Sequence, residues 1–451
     1  MMTKSNIELE AILHEYLNNN SILIVDTVTT ARVNLAGILT KFGAVRQKMS
    51  LVGSVEEAKA EIKKLKPKII FSDFNIGSES GLELIQNQKA EYLKENIKDT
   101  IFILVTTNAS QSVVARASEE DVDTFVIKPY TIETLKKALL QSVQVKLMPN
   151  RYLQLIEEGK DRLGGTLYDE AVLLFEQATH ENPEPSLACY YYGQTEFLRI
   201  SLEESEHKFQ QGLSYNSIHF KCLVGLYDLL ASQKKYTEAY DVIRTIAQYF
   251  PANPQRMATV LRLAIITENF QDMEGYYSIF LKIGERSDDL IKSMCSALVV
   301  TGKYYLRTQF PTRALEVFEK AAISAAGRTV FLFYIIETLI DFKMLADADR
   351  FLNRLHAVAP GSHEYLAGKF LISSQELDLE QAIKLGRDTV RASVEIASVH
   401  EKLIQLCVRG GYREAADELY RFACSRWPEK QGNFIYALES QKLEKAVDLK
   451  A

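Results

Sequence analysis

Four polar residues stand directly behind four apolar runs, and their types suit a common reaction centre. Asp26 follows the run at 21–25, Asp73 follows 67–71 by way of Ser72, Thr106 follows 101–105, and Lys128 follows 124–127. A carboxylate can act as a nucleophile or hold a hard cation. An ammonium neutralises an anionic group, and a hydroxyl hydrogen-bonds one. These groups work together only if the fold carries four distant segments to one edge.

The elements that must do so are legible. Each run is continuously apolar, and helical patterns such as Val55–Leu65 and 133–145 lie between them. Strands of that kind, separated by helices, imply a parallel sheet buried on both faces. Ligands of such sheets bind at the carboxyl ends of the strands, near a topological switch point. All four polar residues fall there.

Beyond Met148-Pro149-Asn150 the strand pattern stops and small residues recur at a fixed interval. Ala171, Ser205, Ala239 and Met273 are spaced by 34; after an insertion Ala314, Ala348 and Ala382 resume it, and Ala415 follows at 33. A large apolar residue generally lies four positions later, as at Phe175, Phe209, Ile243, Tyr277, Phe318, Leu352 and Leu419. Pro183, Pro251 and Pro360 come twelve residues on, Pro428 thirteen, and Gly159 and Gly193 mark the preceding helix. A small residue lets two helices approach, the large one fills the gap, and proline ends the second helix. No such pair buries its apolar face alone, so the pairs must stack. The pattern resembles tetratricopeptide (TPR) repeats. About eight units are expected over 151–428, degenerate at Met273 and Gly386, with 429–451 as a capping helix.

Composition excludes several classes. The chain has 451 residues, 47% hydrophobic and 25% charged, enough for two or more domains. Its 53 Lys+Arg against 59 Asp+Glu argue against nucleic acid as the main partner. Residues 1–147 are balanced, so the acid excess lies in the helical region. Five dispersed cysteines fit reduced thiols of a cytoplasmic protein. The first fifteen residues lack the apolar core of a secretion signal, and the longest apolar stretch, 330–340, is too short to span a bilayer. Seven dispersed histidines form no metal motif, and no nucleophile elbow, Walker loop or dinucleotide fingerprint appears. Nothing points to an independent catalytic domain.

Residues 20–147 resemble the receiver domain of bacterial two-component response regulators. The resemblance rests on Ile-Leu-Ile-Val-Asp26, Phe-Ser-Asp73-Phe-Asn75 through Gly81-Leu-Glu-Leu, Val-Thr106, and Val-Ile-Lys128-Pro129-Tyr130. It implies a flavodoxin-like α/β fold with a five-stranded parallel sheet, followed here by an all-α TPR superhelix. It further implies that Asp73 is the phosphoacceptor and that Lys128 pairs with the phosphoryl group. Thr106 hydrogen-bonds that group in the active state, and Phe125 occupies the position of a rotating switch aromatic. Mg²⁺ is implied at Asp26, Asp73 and the backbone carbonyl of Asn75.

One position departs from the family. A second acid usually follows Asp26, and here it is Thr27, which replaces a charge beside a divalent cation by a neutral hydroxyl. Gly77 stands where a proline often lies, and Glu120-Asp121 replace a small turn residue. Taken alone, Thr106 also suits a helix cap ahead of Asn108-Ala-Ser.

The leading expectation is a bacterial cytoplasmic response regulator, phosphorylated on Asp73 by a histidine kinase or phosphotransfer protein. Its receiver then controls protein or peptide binding by the TPR groove, or homodimer formation, through the short linker 148–150. Tyr190, Tyr191, Tyr192, Tyr304 and Tyr305 fall on first helices, where aromatics can anchor a ligand, although for any one of them packing against a neighbouring helix is the simpler expectation. Residues 1–19 contribute an amphipathic helix able to dock on either domain. Two readings compete: an unphosphorylated pseudo-receiver scaffold, and a phosphate sink or relay localised by its repeats.

Overall fold

The computed structural model describes residues 4–77, 79–95, 97, 100–107, 123–250, 254–283 and 286–448. Proline 251, the pair Glu120-Asp121 and the segment Asn108-Ala-Ser lie outside the described residues. The chain separates into two compact units, Met1–Leu263 and Ala264–Ala451.

In the first unit, β1 (Ile22–Val25), β2 (Met49–Val52), β3 (Ile69–Asp73), β4 (Ile101–Thr106) and β5 (Thr124–Ile127) form a parallel sheet. Its order is β2-β1-β3-β4-β5. Alternation sends Ile22, Ile24, Ile69, Phe71, Ile101 and Ile103 to one face, under α2 (Thr29–Lys41) and α5 (Ile132–Leu147). Leu23, Val25, Ile70, Phe102 and Leu104 go to the other, under α3 (Val55–Leu65) and α4 (Gly81–Lys94). Both faces are covered, which is why the three inner strands read as unbroken apolar runs.

Strand β2 has no such signal: it lies at the edge, and Ser50 and Leu51 are half-buried. Helix α1 (Lys4–Asn19) adds to the first face, burying Leu13, Tyr16 and Leu17. The Tyr16 hydroxyl donates to the Lys68 carbonyl at 3.2 Å, and Lys136 pairs with Glu10 at 2.7 Å.

Paired helices follow. In the first unit these are α6 (Arg151–Gly164), α7 (Tyr168–Glu181), α8 (Ser186–Leu198), α9 (Leu202–Tyr215), α10 (Phe220–Ser232) and α11 (Tyr236–Tyr249), with α12 (Pro254–Ile266) at the division. In the second they are α13 (Met273–Lys282), α14 (Asp288–Arg307), α15 (Pro311–Ser324), α16 (Thr329–Asp341), α17 (Leu345–Val358), α18 (His363–Glu376), α19 (Leu379–Arg391), α20 (Ala397–Arg409) and α21 (Arg413–Arg426), then α22 (Gln431–Asp448).

The small residues of the repeat are buried almost completely, from Ala171 and Ser205 to Ala348 and Ala382. At the last pair the fully buried residue is Ala416, and Ala415 is only partly covered. The spacing therefore remains 34, and Pro428 lies twelve residues on like its counterparts. Gly159 and Gly193 sit against the rings of Phe175 and Phe209, where an added Cβ would lie 2.5 and 2.8 Å away. Gly302 meets Phe318 in the same way.

The insertion before Ala314 makes no long loop. It lengthens α14 to 20 residues, against 13 or 14 for the other first helices. Seven of the eight described pairs turn through a left-handed residue, at Thr166, Ile200, Lys234, Glu268, Gln309, Lys343 and Gly411, with φ between 58° and 79°, whereas α18 and α19 join through Leu377 and Asp378 at negative φ.

His400 is buried at the C-terminal end of the second unit. Its ring lies 5.2 Å from Phe422 and 5.1 Å from Trp427, and Trp427 meets the buried Phe434 of α22. The Nδ1 atom faces the Ile396 carbonyl at 3.2 Å. A carbonyl only accepts, so Nδ1 carries the proton, and Nε2 is buried without a hydrogen-bond partner. Burial holds the His400 pKa below its ordinary value, against the Ile396 hydrogen bond and Glu395.

Two measurements check this packing. Gly302→Ala should destabilise the protein by about 1–3 kcal/mol in chemical denaturation, because the Phe318 ring must shift. A neutral imidazole is required in the folded state, so stability should be full above the ordinary imidazole pKa of about 6.5 and fall as pH drops below it. Fluorescence of Trp427, the single tryptophan, reports the transition. His400→Phe should flatten that dependence only in part, since burial and then Lys221 hold His219 down at about 4.

Candidate functional site

Register levels the strand ends. Val25 pairs with Ser72, Asp73 with Val105, and Thr106 with Ile127. Asp26, Asp73, Thr106 and Lys128 therefore leave the sheet along one edge. The Lys128 backbone N–H donates to the Thr106 carbonyl at 2.7 Å, and the Lys128–Pro129 peptide bond is cis.

The Lys128 ammonium bridges both carboxylates: Nζ lies 2.6 Å from Asp26 Oδ2 and 2.7 Å from Asp73 Oδ2. Burial disfavours its charge, but the hydrogen bonds to Asp26 and Asp73 outweigh that effect, and its pKa lies above the ordinary lysine value. The other Asp26 oxygen, Oδ1, accepts from the Val28 backbone N–H at 2.7 Å, so the carboxylate is fixed at both ends. Arg32 of α2 donates to the Asp26 carbonyl and, at 2.9 Å, to the Thr29 hydroxyl. Asp26 is buried, while the Asp73 side chain keeps 16% of its exposure, enough for a reagent to reach it.

Below the carboxylates the wall is formed by Leu35, Phe71, Val105 and Tyr130. Burial pushes the Tyr130 phenol up from its ordinary pKa, with Lys128 opposing and the two aspartates adding. Sequence reasoning used Tyr130 only as part of a motif and missed it as a wall of the site. Its position two residues after Lys128 was the available signal.

The turn after β3 is held by main-chain contacts. Phe74 N–H donates to the Val105 carbonyl and Gly81 N–H to the Phe74 carbonyl, each at 2.9 Å. A Cβ on Gly81 would overlap the Asp73 carbonyl oxygen and the Ser72 hydroxyl. Gly81 is thus the residue that lets α4 start against the phosphoacceptor candidate.

The remaining candidates are placed as follows. Thr106 is buried at 2% exposure, and Phe125 is half-buried against the second face of the sheet. Thr27 and Asn75 are exposed at the rim. Among the described residues, no group of three His, Cys, Asp or Glu side chains is placed to hold a metal ion. The structure brings together Asp26, Asp73 and Lys128.

Residues 22–140 match the family described as the response regulator receiver domain. This segment is a receiver domain. The chain is 29% identical to a probable chemotaxis protein CheY of Rhizobium etli over 118 residues, 26% of this chain and 88% of that one. It is 28% identical to chemotaxis protein CheY-3 of Vibrio cholerae over 131 residues, 29% of this chain and 95% of that one. The solved structure of CheY4 of Vibrio cholerae is similar at 24% identity, covering 27% of this chain and 97% of its own, with a TM-score of 0.24.

The helical region resembles TPR proteins. One from Parabacteroides merdae covers 56% of this chain and 97% of its own at 14% identity, with a TM-score of 0.29. Among the described residues no helix is long and apolar enough to cross a membrane.

Gly81→Ala should lower stability by roughly 2–3 kcal/mol, since backbone stands where the new methyl group would go. Urea unfolding of both proteins measures the difference.

Proposed function

We propose that the receiver accepts a phosphoryl group on Asp73 and that this event controls binding by the helical repeats. The observation that supports it is the exposed edge of the Asp73 carboxylate, oriented by a lysine shared with Asp26. The donor is a phosphohistidine of a histidine kinase or phosphotransfer protein, in the bacterial cytoplasm.

An Asp73 oxygen attacks phosphorus; the new P–O bond forms as the P–N bond breaks, and the electron pair returns to the imidazole. Lys128 neutralises charge on the transferring oxygens, and the Thr106 hydroxyl hydrogen-bonds the product. Water attacking phosphorus restores the carboxylate and releases phosphate. A receiver catalyses only this transfer and the hydrolysis of its product, and is not a conventional enzyme.

Mg²⁺ fits the site in part. Two carboxylate oxygens already converge on one cationic nitrogen, so both can reach one ion, and the donors are the hard oxygens magnesium prefers. Asp26, Asp73 and the Asn75 carbonyl would hold it, and the ion would supply further charge neutralisation. Thr27 offers no third carboxylate, so affinity is low.

The linker favours mechanical coupling. Only Met148–Asn150 separates α5 from α6. Asn150 caps α6 by accepting from Leu153 N–H at 2.9 Å, and Gln154 donates to the Pro149 carbonyl at 2.9 Å. The unphosphorylated scaffold is the second reading, and Thr27 favours it.

Treated with acetyl phosphate and Mg²⁺, the wild-type chain should gain one phosphoryl group by intact mass, and Asp73→Asn none. Absence of Asp73-dependent phosphate, with kinase-driven transfer also absent, sinks the proposal in favour of the scaffold. Phosphorylation that leaves oligomeric state and partner capture unchanged leaves the phosphate sink instead.

A further inference from the structure

A cleft of about 290 Å³ lies in the second unit, between one face of the second helix α19 and Tyr412, which precedes α21. The buried Ile383 is its floor, and the exposed Tyr412 ring is one wall. That ring is seated firmly: a Cβ on Gly410 would lie 2.9 Å from it and 3.0 Å from Ile383 Cδ1, so only glycine lets the turn close there. Facing it is a row of cations. Lys384, Arg387 and Arg391 follow one another at three- and four-residue steps, which puts them on one side of the helix.

The three charges are not answered alike. Arg391 pairs with Asp388 at 3.4 Å. Arg387 lies over the Tyr412 ring at 5.4 Å, and burial raises the Cys407 pKa while Arg387 opposes. A ring face and a neutral thiol hold a guanidinium in place without supplying a counter-ion. Glu380 also lines the cleft, one turn before Lys384, yet among the described residues neither Lys384 nor Arg387 takes part in an ion pair. Elsewhere in this unit Arg328, Arg354 and Arg426 are held by Asp288, Glu319 and Glu395. In a region where acids exceed bases, two unpaired cations beside an aromatic wall need another partner.

We propose that this cleft binds a small phosphate monoester with an apolar or aromatic body. The phosphate lies between Lys384 and Arg387, where a planar guanidinium offers paired N–H donors and an ammonium a point charge. The body rests on Ile383 and against Tyr412. A monoester carries close to two negative charges and so answers both cations, whereas a single carboxylate answers one. The volume is at the low end for small-molecule sites, which suits one compact ligand rather than an extended segment. The proposal makes no use of Asp73 and stands apart from the phosphorylation reading.

The test uses the full chain and para-fluorophenyl phosphate, followed by broadening of its fluorine NMR line. The line should broaden saturably, and the effect should weaken as salt rises. Inorganic phosphate should compete less well, because it lacks the ring, and para-fluorophenol, which lacks the charge, should not bind. Lys384→Gln and Arg387→Gln should each weaken binding about tenfold, the usual contribution of one hydrogen bond to a charged group. Tyr412→Ala should remove the advantage of the aryl ester over inorganic phosphate. Lys292→Gln, a solvated lysine of the second unit, should leave binding unchanged. Trp427 fluorescence checks that each variant is folded, and the two glutamine changes lie at exposed positions. No binding of the ester, equal binding of the phenol, or binding that survives the Lys384→Gln, Arg387→Gln double variant overturns the proposal; the last result would place the ester at Lys128 instead.

Discussion

Two carboxylates held against one ammonium set the terms for the whole receiver. At an effective dielectric of about 20, unit charges about 5 Å apart interact by about 3 kcal/mol. Asp26 and Asp73 can therefore share an edge only because Lys128 stands between them. That requirement reaches back through the fold. Lys128 arrives at the end of β5, whose neighbour β4 fixes its height through the Thr106 carbonyl. Asp73 arrives at the end of β3, where Gly81 alone leaves room for its carbonyl. A slip of one residue in either strand would turn the charged side chain to the other face of the sheet.

The helical region obeys a different constraint, of volume. Each pair closes where a small residue meets a large one, and the glycines opposite Phe175, Phe209 and Phe318 show how little space remains. The constraint is local, so the array absorbs seven extra residues as two turns of α14. Those turns are not idle. Leu290 and Met294 are buried, and Asp288 takes Arg328 from the start of the next pair at 2.5 Å. An insertion that preserves helical phase extends a repeat, and one that broke it would have required a loop.

Periodicity carried most of the fold in the sequence, and the limits of that signal have physical causes. The inner strands were legible because both their faces are buried. Edge strand β2, half-exposed and interrupted by Ser50, was not. The repeat was legible through its small residues until Ala415 and Ala416 stood side by side, when composition could not tell the buried alanine from its neighbour. The site was legible because its residues end strands, a position fixed by backbone topology alone. What escaped depends on side-chain direction. Which of the tyrosines pack and which stay open could not be read from sequence; Tyr304 stacks on Phe270 at 4.2 Å. Of the three consecutive tyrosines, only Tyr190 stays half-open.

The two constraints meet in α5. Lys128 is joined to it through Pro129, Tyr130 and the capping box of Thr131 and Thr134, in which each side chain meets the other's backbone N–H. Such a cap resists fraying of the helix's first turn. The far end of α5 reaches α6 across three residues whose backbone is held by Asn150 and Gln154. A flexible tether would dissipate a displacement of α5, so on the proposed reading it is the capped and hydrogen-bonded linker that lets a phosphoryl group at Asp73 act on the repeats.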